Sequence, residues 1–103
     1  MNAPFVFVHH QGELRSDVDR AISTLGPEVM NVTYRLDTDS TGDPAIYFHI
    51  VLADWAVDTE DRIADTTGRV AAQLFDQAHL GEWSLQPYFN WGKAPVQPAG
   101  RTA

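Results

Sequence analysis

The chain has 103 residues, 44% hydrophobic and 20% charged, which is enough apolar surface for one compact domain and too little length for two. Fourteen acidic against seven basic residues give a net charge of -7, which repels phosphate backbones and anionic lipid and argues against nucleic-acid and membrane partners. Cysteine is absent, so disulfides and thiolate metal sites are excluded, and burial of apolar groups, among them eleven aromatic residues, must hold the fold.

At the amino terminus, Met1 to Pro4 lacks a basic region, and the apolar stretch Phe5 to Val8 is too short for a signal-peptide core. No run approaches the roughly 20 apolar residues of a membrane span. These features predict a soluble cytoplasmic protein, and six arginines to one lysine, with plentiful alanine and aspartate, point to a high-GC bacterial genome. Phe5 to Val8 is aromatic and β-branched, bounded by Pro4 and by Gln11-Gly12, and reads as a first strand. Leu14, Val18, Ile22 and Leu25 then fall at helical spacing over Glu13 to Leu25, with Ser16 as a candidate cap, before Gly26-Pro27 forbids continuation.

Between Val29 and Asp37, Met30, Val32, Tyr34 and Leu36 alternate with polar residues, the period of a half-buried strand. Thr38 to Pro44 is a polar, glycine-containing turn, and Ala45 to Ala53 is an almost unbroken apolar run suited to a central strand. So short a connection predicts an antiparallel hairpin. A second helix begins near Asp58, a cap followed by acidic Glu60 and Asp61, carries Ile63, Thr67, Val70, Leu74 and Ala78 on its inner stripe, and ends by Gly81. Gly68 would let that helix approach a sheet closely. Ser84 to Trp91 is a final strand with Leu85, Phe89 and Trp91 on one face and Gln86, Tyr88 and Asn90 on the other, and Pro87 marks it as an edge.

The order βαββαβ predicts an α+β ferredoxin-like sandwich, a four-stranded antiparallel sheet with two helices on one face. A competing reading leaves Met1 to Gly12 disordered and gives αββαβ with three strands. Residues 1–91 form the single domain, and 92–103, with Pro95, Pro98 and Gly100, read as a flexible tail.

Chemistry-bearing motifs are sparse. Asp37-Thr-Asp39-Ser-Thr41-Gly42-Asp43 has the carboxylate spacing that opens a calcium loop, but Phe48 stands where an EF-hand loop needs a bidentate carboxylate and no helix enters. The same stretch resembles, over five residues, the nucleophile motif of haloacid-dehalogenase-like phosphatases, whose further lysine has only Lys93 to answer it. A polar hairpin turn explains these residues better. His9 and His10 are adjacent and on a strand would point to opposite faces, so they do not chelate together. His79 suits the carboxyl end of the second helix. The carboxylates Asp58, Glu60, Asp61 and Asp65 serve capping and solubility, and Trp55, Trp83 and Trp91 cover core edges or anchor a partner. No catalytic residue, metal site or cofactor is read from the sequence.

The candidate surface is the sheet face opposite Ile46, Phe48, Ile50 and Leu52. It carries Tyr47, His49 and Val51, flanked by Thr33 and Arg35 with Tyr88 beyond; His49 is either a solvated sheet residue or a ligand-facing group that changes charge near neutral pH. Arg35, Tyr47, His49, Val51 and Tyr88 are the predicted binding residues. The basic-aromatic signature of RNA-recognition strands is missing. The expected function is a non-enzymatic module that binds a protein partner or forms a homodimer; the alternative is a small-ligand-binding protein or minor enzyme using Arg35, His49 and Tyr88. Leu25-Gly-Pro-Glu-Val29, Gly42-Asp-Pro-Ala-Ile-Tyr-Phe48 and Pro87-Tyr-Phe-Asn-Trp91 together resemble a group of small uncharacterised bacterial proteins, a resemblance that implies no catalytic residues.

Overall fold

Pro4 and Gly26-Pro27 bracket the first element as helix punctuation at both ends. In the computed structural model, which describes residues 3–94 and the side chains of 12–94, Ala3–Ser23 is a single helix, α1. The predicted strand Phe5–Val8 is therefore corrected to helix. A proline in the first helical turn loses nothing, because its missing N–H is one of the donors that has no intrahelical partner there. Helical continuity with the Leu14 stripe then overrides the β preference of four residues. Ser16 falls in the helix interior instead of capping it. At the far end Ser23 Oγ donates to Arg20 O (2.6 Å) and Thr24 Oγ1 to Ala21 O (2.6 Å), closing the last turn before glycine and proline end it.

Two strands follow, β1 (Val29–Thr38) and β2 (Pro44–Leu52), paired antiparallel as a hairpin. The register skips one residue between Val29 and Asn31, so Met30 is a β-bulge, and it is 59% exposed. A one-turn 3-10 segment at Asp54–Ala56 leads to α2 (Glu60–Gln77), then a short helix α3 (Leu80–Trp83) and β3 (Gln86–Lys93). The α2 cap is Thr59, whose side chain accepts from Arg62 N; Asp58, the predicted cap, instead faces Arg62 at 3.5 Å. The helix ends at Gln77, and His79 adopts a left-handed conformation (φ 56) that turns the chain into α3, where Gly81 lies.

The sheet has three strands in the order β1-β2-β3, with β3 parallel to β2. The four-stranded antiparallel ferredoxin-like arrangement is thus overturned: the chain is α+β with a mixed sheet and the order αββαβ, because residues 5–8 belong to α1 and supply no strand. Residues 53–85, which carry α2, are long enough to return the chain parallel to β2. Central β2 and edge β3 stand as the apolar run and Pro87 predict. β3 also takes in Gly92 and Lys93, which the sequence assigns to the tail; residues 95–103 lie outside the described ones.

Both long helices pack on one face. Leu14, Val18 and Ala21 of α1 and Val70, Leu74 and Ala78 at α2 meet Ile46, Phe48, Ile50 and Leu52, all at most 1% exposed. Phe48 is stacked on Phe89 (5.4 Å between centroids) and tilted against Tyr34 (6.1 Å). Val70, Leu74 and Ala78 of the predicted α2 stripe are buried, whereas at its start Thr66, bonded to Ala56 O at 2.9 Å, is buried in place of Thr67, and Ile63 is exposed. Gly68 faces solvent with no neighbour that a side chain would meet. Glu28, only 8% exposed, pairs with Arg69 of α2 and lies so close to Gly26 that a Cβ there would collide with its carboxylate. Every buried side-chain nitrogen or oxygen among the described residues has a partner.

Candidate functional site

Side chains alternate along a strand, so the residues that interleave the buried Ile46, Phe48, Ile50 and Leu52 must emerge on the other side of the sheet. The register sorts them into rows across the three strands. Arg35, Tyr47 and Tyr88 form one row, Thr33, His49 and Asn90 the next, and Asn31, Val51 and Gly92 the third. All five predicted binding residues therefore share one helix-free face. His49 is exposed, while Tyr47 and Val51 are half-buried by their neighbours.

The first row is a column of stacked groups. The Arg35 guanidinium lies 4.4 Å from the centroid of the Tyr47 ring, and the Tyr47 and Tyr88 rings stack at 5.1 Å with 16° between planes. Arg35 also donates to Asp37 Oδ2 at 2.9 Å, and Tyr47 Oη donates to Thr38 O at 3.4 Å. Such contacts are each worth about 0.5–1 kcal/mol at an exposed site, enough to hold the rings in place before anything binds.

The column is tied to the β1–β2 turn. Tyr88 Oη donates to Asp39 Oδ2 at 3.0 Å, while Asp39 Oδ1 accepts from Thr41 N (2.9 Å), Thr41 Oγ1 (2.7 Å) and Asp43 N (3.0 Å). Gly42, at φ 88, makes the left-handed turn residue these bonds require. The Thr41 hydroxyl above all, then the Asp43 and Thr41 amides and Tyr88, hold the Asp39 carboxyl down to about 2. Its hydrogen bond to Asp39 pushes the Tyr88 phenol above its ordinary range. At neutral pH Asp39 is an ionised acceptor and Tyr88 a neutral donor, so neither is poised to exchange a proton. The turn reading of Asp37–Asp43 is what the backbone shows, with Asp39 as its organising side chain.

Arg35, Tyr47, His49 and Tyr88, with Thr33 and Asn90, line a shallow depression of about 460 Å³. Val51 lies one row further, where a Cβ on Gly92 would sit at an ordinary 3.9 Å from both Val51 and His49. Two residues of this surface escaped the sequence reading. The strand period puts Asn90 on this face without distinguishing it, and the Asp37–Asp43 motif, whether compared with a calcium loop, a phosphatase motif or a polar turn, gives no sign that Asp39 belongs to the sheet face. The strand period gives a hint of the first; nothing local foretells that β3 brings Tyr88 beside Asp39.

The other singled-out groups lie elsewhere. His9 and His10 are consecutive residues of α1, not a strand end. His79 follows α2 as predicted, with Nδ1 3.6 Å from Asp17 Oδ2, which also accepts from Trp83 Nε1 at 3.0 Å. That indole bond, with Arg20, lowers the Asp17 carboxyl below its ordinary value. Trp83 and Trp91 pack on the core and Trp55 is 55% exposed. Among the described residues no group of three or more histidine, aspartate or glutamate side chains converges as a metal site, and no helix is long and apolar enough to cross a membrane.

Comparison with known proteins gives no match: no protein-family model fits the chain, and no curated protein is significantly similar to it.

Proposed function

We propose that this protein is a non-enzymatic interaction module whose contact surface is the open sheet face. The observation that carries the reading is the Arg35–Tyr47–Tyr88 column, a preorganised aromatic and cationic surface left uncovered by either long helix. Tyrosine and arginine are enriched among the side chains that dominate protein contacts: tyrosine offers a large, rigid ring with a polar tip, and arginine a planar guanidinium that stacks on rings and donates several hydrogen bonds. The core does not need this column to be satisfied, since the buried groups pair on the other face. The test is a comparison of wild type with the Tyr47→Ala/Tyr88→Ala double variant, by affinity capture from lysate of the native host and by sedimentation velocity. A partner or dimer present in wild type and lost in a folded variant supports the reading. Association that survives in the variant, or is absent from wild type, sinks it.

A second reading rests on the depression itself, whose volume falls within the range of small-ligand sites. Arg35, His49 and Tyr88 would then contact a small polar ligand. Thermal stabilisation by a compound in a screen, abolished by His49→Ala with the fold intact, would favour it over protein binding.

A further inference from the structure

The backbone of β3 has a free side. Ala94 N donates to Leu52 O at 2.9 Å, and in a parallel ladder alternate residues turn the same way. Tyr88, Asn90 and Gly92 therefore direct their backbone groups toward β2, while Pro87, Phe89, Trp91 and Lys93 direct theirs outward. Pro87 loses nothing by facing outward, since it has no N–H to leave unpaired. The outer edge offers the N–H groups of Phe89, Trp91 and Lys93 and the carbonyls of Pro87, Phe89 and Trp91, with no strand beside them among the described residues.

The ring column ends at this same edge. Tyr47 lies between Arg35 on β1 and Tyr88 on β3, so one face of its ring meets a cation and the other a ring. Tyr88 has Tyr47 on one side only; its other side faces beyond β3, and the residue is 40% exposed. Each tyrosine has an aspartate of the β1 end or its turn close by: Asp37 through Arg35 for Tyr47, and Asp39 directly for Tyr88. Tyr47 has a guanidinium over its ring, held by Asp37; Tyr88 has the carboxylate, Asp39, but no cation over its ring among the described residues. Asp43 adds a second carboxylate, reached by Thr41 Oγ1 at 3.1 Å. At the β1 edge the column ends instead on Arg35, already paired.

We propose that β3 accepts, as a fourth strand, an extended arginine-bearing segment of a basic partner protein, whose guanidinium stacks on the free face of Tyr88 beside Asp39 as Arg35 stacks on Tyr47 beside Asp37. This rests on the interaction-module reading and specifies its partner. Strand addition supplies main-chain hydrogen bonds without sequence preference, and the outer-face position next to Tyr88 supplies the selection. A net charge of -7 draws a basic segment in and opposes pairing with a second copy. Paired antiparallel, the residue facing Tyr88 occupies a non-hydrogen-bonded site, where side chains of neighbouring strands approach most closely.

The probe is a capped seven-residue peptide of alternating valine and threonine with a central arginine and a lysine at each end, alongside its arginine-to-glutamine counterpart. Both are titrated into the full-length, nitrogen-15-labelled chain and followed by amide shifts and hydrogen exchange. The expected result is shifts and slowed exchange at Phe89, Trp91 and Lys93, with the arginine peptide binding about three- to tenfold more tightly. Tyr88→Leu should erase that preference while leaving weak binding of both peptides. Equal affinity of the two peptides for wild type overturns the proposal without depending on any variant's folding. Shifts at Val32, Tyr34 and Leu36 overturn it in favour of the β1 edge, and edge amides protected without peptide in a sedimenting dimer overturn it in favour of self-pairing. Shifts confined to Thr33, His49 and Asn90 overturn strand addition yet leave the open-face reading standing, and no shift anywhere overturns strand addition alone, because the open face is judged by the double-variant capture.

Discussion

The two faces of β2 are built from neighbouring residues of one nine-residue strand, yet they do different work. Ile46, Phe48, Ile50 and Leu52 are sealed under α1 and α2, whereas Tyr47, His49 and Val51 look out between Arg35 or Thr33 on one side and Tyr88 or Asn90 on the other. On the covered face, apolar contact determines stability, and polar groups there are few and fully paired. On the open face, the side chains are held by stacking and by a turn carboxylate, contacts that fix geometry while contributing little to folding. Because the strand period separates the two faces, side chains on the open face can vary without loss of the core.

The largest test of this contrast is Phe48→Ala. Removing a ring packed between Tyr34 and Phe89 should cost about 3–5 kcal/mol, read as a lower urea midpoint in equilibrium denaturation. Tyr47→Ala, next door on the open face, should cost about 1 kcal/mol, and His49→Ala about 0.5 kcal/mol or less, by the same measurement. If either open-face substitution approached the Phe48 loss, the division between the faces would fail.

Of intermediate size is Arg69→Met, which leaves the Glu28 carboxylate shielded from water without its partner. Because the Arg69 guanidinium is half exposed, solvent screens the pair and the expected loss is about 1–2 kcal/mol at neutral pH. The Arg69 hydrogen bond holds the Glu28 carboxyl below its ordinary value. A carboxyl lowered in the folded state stabilises above its unfolded value and loses that contribution as pH falls through the folded one. Wild-type stability should thus decline as pH drops below about 4, and the decline should be shallower in Arg69→Met when urea midpoints are followed against pH. Thr59→Ala, which removes the α2 cap, should cost about 1 kcal/mol and lower the thermal midpoint.

The smallest effect belongs to the open face. Tyr88 should titrate above the ordinary tyrosine range by NMR, and Asp39→Asn should bring it back toward that range, since the carboxylate is the main cause of the shift. A Tyr88 titration indifferent to Asp39→Asn would mean that the turn does not hold the column in solution.

Much of this surface was legible beforehand because a strand's period is a local property. Alternation over Ala45–Ala53 assigns Tyr47, His49 and Val51 to one face whatever the neighbours are, and the polar turn fixes the antiparallel partner that brings Arg35 and Thr33 alongside. Asp39 was not legible as part of the site, because its meeting with Tyr88 spans 49 residues of chain. At the start of α2 the period does not tell that Thr66 is the buried residue, because its burial goes with a bond to Ala56 O of the 3-10 segment, a contact that helical spacing does not encode.

Composition and periodicity alone determined a small acidic α+β domain, a β hairpin with one buried face, an apolar central strand and a proline-marked edge. Three decisions required the tertiary structure. The Phe5–Val8 segment joins α1 because helical continuity with the following turns outweighs a short run of β-formers. β3 runs parallel to β2 because α2 carries the chain back across the sheet, and the local sequence of a strand does not encode its direction. That direction in turn stacks Tyr88 on Tyr47 and leaves its far face open at the edge, since register is fixed by the whole buried face at once and not by any one residue in it.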